Sequence, residues 1–169
     1  IFPKEDVIKV MKEDSNRYYR HNIYALFTQD ELFDLYMETT NERVRSDILF
    51  FSFDAINKEK NPRADEEENV WGEIEKYEVP NIITKENMYD IFEKIALSDE
   101  HLVSQMLELD GFDCNHKNVL KKLYSSPNGR TYINWISTPK IKIDAKNALE
   151  AFKLIDIRKV PMGVERFGT

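Results

Sequence analysis

The sequence predicts an all-α fold, a multi-helix bundle with at most a short two-stranded element, and three observations predict it. Apolar residues recur at three- and four-residue spacing through most of the 169 positions. Glycine and proline number only five and six, which leaves little room for a turn-rich sandwich. Charged residues make up 33% of the chain, as suits helices with one solvated face. At 41% hydrophobic residues the chain can bury one sizeable core, or two small lobes, without disulfides or metals.

Taken in order, Pro3 suits the first turn of a helix whose apolar side is Val7, Ile8, Val10 and Met11. A second helix is expected to open at Ser15 or Asn16 and to carry Tyr18, Tyr19, Ile23, Tyr24 and Phe27. Thr28 followed by Glu31 is a capping box, the hydroxyl taking an orphan amide while the carboxylate reaches back. It leads into a third helix with Leu32, Phe33, Leu35 and Tyr36. A fourth is expected from about Glu42 to Ile56, with Val44, Ile48, Leu49, Phe51, Phe53 and Ile56 mostly inward; the run from Ile48 to Phe53 also fits a buried strand. From Asn57 to Asn69 no apolar residue is larger than Ala64. A charged linker is therefore expected over 58–69, between an N-terminal helical subdomain (1–57) and a C-terminal one (70–169). The acidic run Asp65 to Glu68 reads as a solvated helix start, because four adjacent carboxylates cannot converge on one ion from a single turn.

Beyond the linker, Val70, Trp71, Ile74 and Tyr77 predict a short helix, and Thr84 opens another with Met88, Ile91, Phe92 and Ile95. Ser98 is positioned to cap a helix from Asp99 to Leu109, with Leu102, Val103, Met106 and Leu107 inward and Gly111 just past its end. Short helices follow over Lys117 to Tyr124 and Ala145 to Ile155, the last capped by Asp144. Between them Asn128 and Gly129 signal a turn, and Thr131 to Ser137 with Lys140 to Ile143 fits a small two-stranded element. The C-terminal end, with Pro161, Gly163 and Gly168, reads as irregular.

Little in the sequence points to catalysis. Cys114 is the one cysteine, so no intramolecular disulfide can form, which fits a reducing, intracellular and cytoplasmic setting and an inert thiol. His21, His101 and His116 match no metal-ligand spacing, and no phosphate loop or nucleophile elbow is present. A non-enzyme without cofactor or metal is the expectation, with an unrecognised enzyme as the remaining alternative. The longest apolar run, Ile48 to Phe51, is far too short to span a bilayer, so no membrane insertion is expected. Ile1 in place of Met suggests a trimmed form.

Charge is distributed unevenly. Residues 1–115 carry 13 basic and 27 acidic side chains, and residues 116–169 carry 11 basic and 4 acidic. In the basic end Lys117, Lys121, Lys122, Arg130, Lys140 and Lys142 interleave with Tyr124, Tyr132 and Trp135, a mix that tracks phosphates and stacks on bases. The overall pI near 5.1 opposes general attraction to nucleic acid. The same face equally suits an acidic protein, or the acidic body of this chain. Nucleic acid is thus the second partner class.

The segment Ile82-Ile83-Thr84-Lys85-Glu86-Asn87-Met88-Tyr89-Asp90-Ile91-Phe92, continuing to Leu102, resembles the passage in calmodulin-like proteins that leaves one EF-hand loop and enters the next helix. Asn128 to Ile136 is similar to a loop end running into its exit helix, and Ala148 to Asp156 to an entering helix. The loops lack calcium chemistry: the first offers Lys76, Glu78 and Pro80 with Asn81 at the turn, and the last offers Arg158, Val160 and Pro161. The resemblance, over roughly 70–169, implies degenerate EF-hand-like helix pairs. It implies a calcium-insensitive member in the style of myosin light chains, clasping an amphipathic partner helix in an apolar groove. Met88, Phe92, Met106 and Leu107 are the groove candidates, since methionine adapts to partner shape; the same four also fit a plain core. The expected function is a non-catalytic helical module for protein–protein interaction.

Overall fold

The computed structural model describes residues 3–61, 78–125 and 144–153, in which every regular element is a helix and no strand occurs. The all-α expectation holds. The chain divides into two compact units, Ile1–Thr84 and Lys85–Thr169.

In the first unit, α1 (Lys4–Glu13) starts directly after Pro3, whose carbonyl accepts the Asp6 and Val7 amides, and it buries Met11. A 3-10 turn (His21–Leu26) buries Tyr24. Helix α2 (Gln29–Glu38) opens with the expected capping box: Thr28 Oγ1 accepts the Glu31 amide at 3.2 Å and Glu31 Oε1 accepts the Thr28 amide at 3.0 Å. Lys4 and Lys12 tie α1 to α2 through Glu31 (2.6 Å) and Glu38 (2.5 Å). Helix α3 (Glu42–Lys60) runs unbroken through Ile48 to Phe53, so the strand alternative there falls; Val44, Ile48, Leu49, Ser52 and Phe53 form its buried side. The return segment 78–84 lies against α3, with the Ile82 amide donating to the buried Ser52 hydroxyl at 3.0 Å and Gln29 Nε2 donating to the Asn81 carbonyl at 2.7 Å.

The corner between α2 and α3 is polar and buried. Asn41 is fully buried; its Oδ1 accepts the Arg43 and Val44 amides and starts α3, while its Nδ2 donates to the carbonyls of Asp14 (2.9 Å) and Arg17 (2.7 Å). The Thr39 hydroxyl donates to the Met11 carbonyl at 2.7 Å, and Arg45 donates to the carbonyls of Tyr36 and Thr39. These bonds explain why the helix expected from Ser15 is absent before His21. Carbonyls that a helix would give to amides four residues on are taken by Asn41 instead, and Asp14 Oδ1 accepts the Asn16 amide, a local bond that competes with helix.

In the second unit, α4 (Met88–Lys94), α5 (Glu100–Leu107), α6 (Lys117–Tyr124) and α7 (Ala145–Lys153) follow in order, with α6 packing on both α4 and α7. The start of α4 is at Met88 and not Thr84, and α5 is capped by Asp99, whose Oδ1 accepts the Leu102 amide, and not by Ser98. Gly111, at φ +82°, turns the chain beyond α5. His116 Nδ1 accepts the Asn118 amide at the start of α6, and Asp144 Oδ1 accepts the Lys146 amide at the start of α7.

Helix α3 takes in the first residues of the linker expected over 58–69, and the two units divide between Thr84 and Lys85. The rest of that linker, the helix expected at Val70 to Tyr77, the two-stranded element at 131–143 and the C-terminal end beyond Lys153 lie outside the described residues. Among the described residues no helix is long and apolar enough to cross a membrane.

Replacing Asn41 with Ala removes an N-cap and leaves two carbonyls without their donor, an expected loss of about 3 kcal/mol. Asn41→Asp is expected not to rescue it, because the acceptor returns without the donors and with a buried charge. Urea unfolding of both variants measures this; a loss confined to about 0.5 kcal/mol, the ordinary surface value, would contradict the role given to this amide.

Candidate functional site

The four groove candidates do not line a surface. Met88, Phe92, Met106 and Leu107 are all buried, at 6%, 1%, 0% and 3% exposure, and form the core of the second unit with Ile91, Val103, Leu120 and Leu123. Apolar residues at helical spacing turn inward when other helices are at hand to cover them, and α6, packed on α4, supplies cover for Met88 and Phe92. Of the basic-face candidates, Lys117 and Lys121 are exposed, and Arg130, Lys140 and Lys142 lie outside the described residues. Lys122 faces inward: its Nζ donates to the carbonyls of Glu93 (2.5 Å) and Ile95 (2.6 Å) and sits 5.6 Å from the centre of the Phe92 ring. It satisfies the end of α4, so its charge is spent within the unit.

The most distinctive surface is on the first unit, where rings from two elements meet. Tyr18 lies 6.4 Å from His21 between ring centres, His21 stands edge-on to Phe51 at 5.1 Å, and Phe51 lies 5.8 Å from Phe50. Tyr24 underlies them, 5.7 Å from Phe51 and fully buried. Tyr18 is 60% exposed, Phe50 48% and the His21 side chain 46%, so a continuous aromatic strip reaches solvent. The cause is geometric. With residues 14–17 held out of helix by Asn41, Tyr18 and Arg20 stay outside the core, and Phe50 lies on the outer side of α3, between the buried Leu49 and half-buried Phe51. Beyond Phe51 the surface falls into a cleft of about 440 Å3, bordered by Asp54, Lys58, Val79 and Pro80.

Beneath the strip sits a half-buried polar contact. The Tyr24 hydroxyl donates to Asp47 Oδ2 at 2.9 Å, and His21 Nε2 lies 3.8 Å from Asp47 Oδ1. Burial pushes the Asp47 carboxyl above the usual range, against the opposing pull of the Tyr24 hydroxyl, His21 and Arg43. Burial, with the Asp47 charge beside it, likewise raises Tyr24, so its hydroxyl stays a donor. Arg20 and Arg43 are exposed beside the strip and make no ion pair among the described residues.

The spacing of Arg17, Tyr18, Tyr19, Arg20, His21 and Tyr24 carried a signal the helical reading absorbed: more rings and cations than the inner side of one short element can bury. The four consecutive apolar residues Ile48 to Phe51 carried another, since they span a whole helical turn and cannot all face one core. Among the described residues no three His, Cys, Asp or Glu side chains cluster as metal ligands.

A carboxyl held above its unfolded value contributes stability at low pH that is lost as pH rises through the raised value. The stability of Asp47→Asn relative to the native chain is therefore expected to improve as pH rises from acid to neutral. Glu31, lowered by its bond to Lys4 and by the Thr28 amide, acts in the opposite sense, so Glu31→Gln should worsen over the same interval. Urea unfolding across that interval measures both; a flat difference for Asp47→Asn would contradict the burial argument.

No family model matches the chain, and no curated protein or solved structure matches it.

Proposed function

We propose that this chain is a non-catalytic protein-interaction module whose partner, an amphipathic helix, docks on the aromatic strip of the first unit. The observation that carries the reading is the unbroken run of rings from Tyr18 through His21 and Phe51 to Phe50, three of them substantially exposed. Tyrosine, phenylalanine and arginine are the side chains that anchor interfaces, because they bring large rigid area at small entropic cost. The centre-to-centre steps of 5.1–6.4 Å match the spacing of side chains one turn apart on a helix, about 5–6 Å. Arg20 and Arg43 at the margin of an otherwise acidic stretch favour acidic residues on the partner's flanks. The likeness of 82–102 to calmodulin-like proteins points to the same class of partner but to a different surface. With Met88 and Phe92 enclosed, the strip is the better supported of the two.

A photo-crosslinking side chain placed at position 18 or 50 in the source cell is expected to yield one stoichiometric protein adduct, and one placed at Glu108 of the second unit is not. Combining Tyr18→Ala with Phe50→Ala should weaken the captured partner at least about tenfold, since hot-spot rings are worth roughly 2 kcal/mol or more each. Stability should change by no more than about 0.5 kcal/mol per site, because both rings are exposed. Recovery of nucleic acid alone, or equal labelling from position 108, would overturn the reading.

A further inference from the structure

Between α1 and the 3-10 turn lies a second cleft, of about 290 Å3, lined by Asp6, Val7, Val10, Arg17, Tyr19 and Ile23. Small-molecule sites range over roughly 300–1,000 Å3, so this one suits a ligand of few heavy atoms. Val7, Val10 and Ile23 make apolar walls, and Val10 is left 41% exposed on α1 although it is a large apolar residue. Among the described residues the polar side chains of the cleft make no hydrogen bond or ion pair. Tyr19 is only 7% exposed, and its hydroxyl, buried, finds no hydrogen-bond partner among the described residues. Buried hydroxyls without a partner are rare enough in folded proteins to need an explanation. Burial raises the Tyr19 phenol, so it stands as a donor waiting for an acceptor. The Arg17 guanidinium lies 5.5 Å over the Tyr19 ring, and neither it nor Asp6 makes an ion pair among the described residues, though both line the same cleft.

The geometry points to this cleft as a binding site for a small zwitterion with an apolar body, that is, a free aliphatic or aromatic α-amino acid. Its carboxylate meets Arg17 and the Tyr19 hydroxyl, its ammonium meets Asp6, and its side chain lies on Val7, Val10 and Ile23. The pair of unspent opposite charges sets the ligand class. A simple carboxylic acid would leave Asp6 facing a like charge or nothing, and a simple amine would do the same to Arg17. The apolar walls exclude glycine as the preferred ligand, because it offers them no surface to cover. None of this depends on a partner docking on the aromatic strip.

Titration calorimetry of the intact chain tests it, with L-leucine and L-phenylalanine as ligands and glycine, isovalerate and isoamylamine as their truncated forms. Leucine or phenylalanine is expected to bind, and each truncated form to bind at least about tenfold more weakly, as is usual when a charged contact or a buried side chain is lost. Arg17→Gln and Asp6→Asn, both at exposed positions, are each expected to weaken leucine binding about tenfold. No heat with either amino acid, or binding of isovalerate or isoamylamine equal to that of leucine, overturns the assignment. Tyr19→Phe separates a ligand-facing hydroxyl from one that is merely unmet. Weakened leucine binding supports the site; unchanged binding together with a more stable ligand-free chain overturns it.

Discussion

The buried amide of Asn41 is the contact on which the arrangement of the first unit depends. Its oxygen starts α3 and its nitrogen holds the carbonyls of Asp14 and Arg17, so one side chain both begins a helix and prevents another. Everything between Asp14 and Arg20 is shaped by that arrangement. If those residues wound into helix, Arg17, Tyr18 and Arg20 would be redistributed around its circumference and the aromatic strip would break between Tyr18 and His21. Thr39 and Arg45 serve the same corner by satisfying the carbonyls of Met11, Tyr36 and Thr39. The result is a polar joint inside an apolar unit, every member of which has a partner, the condition under which such a network specifies one arrangement.

What the sequence made legible was local. The Thr28–Glu31 box, the Asp144 cap, the inward sides of α2 and α5 and the turn at Gly111 all rest on residues within a few positions of each other, and all are found. What it hid was distant. The partners of Asn41 lie 24 and 27 residues upstream, and no spacing rule announces them. The same blindness made a helix of residues 15–20 and left Ile48 to Phe53 open to two readings. In the second unit periodicity found Met88, Phe92, Met106 and Leu107 but could not say whether they face a partner or their neighbours; burial gives the latter. Lys122 looked like part of a basic face because charge is visible in sequence and direction is not.

The two units thus differ in how they spend their unusual residues. The second encloses Met88 and Met106 and turns a lysine inward to finish α4, and its Tyr89 ring stacks on both Phe112 and His116, at 5.1 and 4.1 Å. The first leaves rings and guanidiniums outside. Among the described residues, the large apolar side chains most open to solvent are Val10, Tyr18, Leu26 and Phe50 in the first unit and Leu149 in the second, and side chains so placed lower solubility without adding to the fold.

Gly111 shows how narrow a structural requirement can be. It adopts φ +82°, and nothing lies within 4 Å of where a Cβ would stand. The demand at this corner is therefore one of handedness and not of room. Even the smallest ordinary side chain, that of alanine, strains the backbone there while its Cβ touches nothing. Among the common residues asparagine, which tolerates this region best, is the least costly substitute.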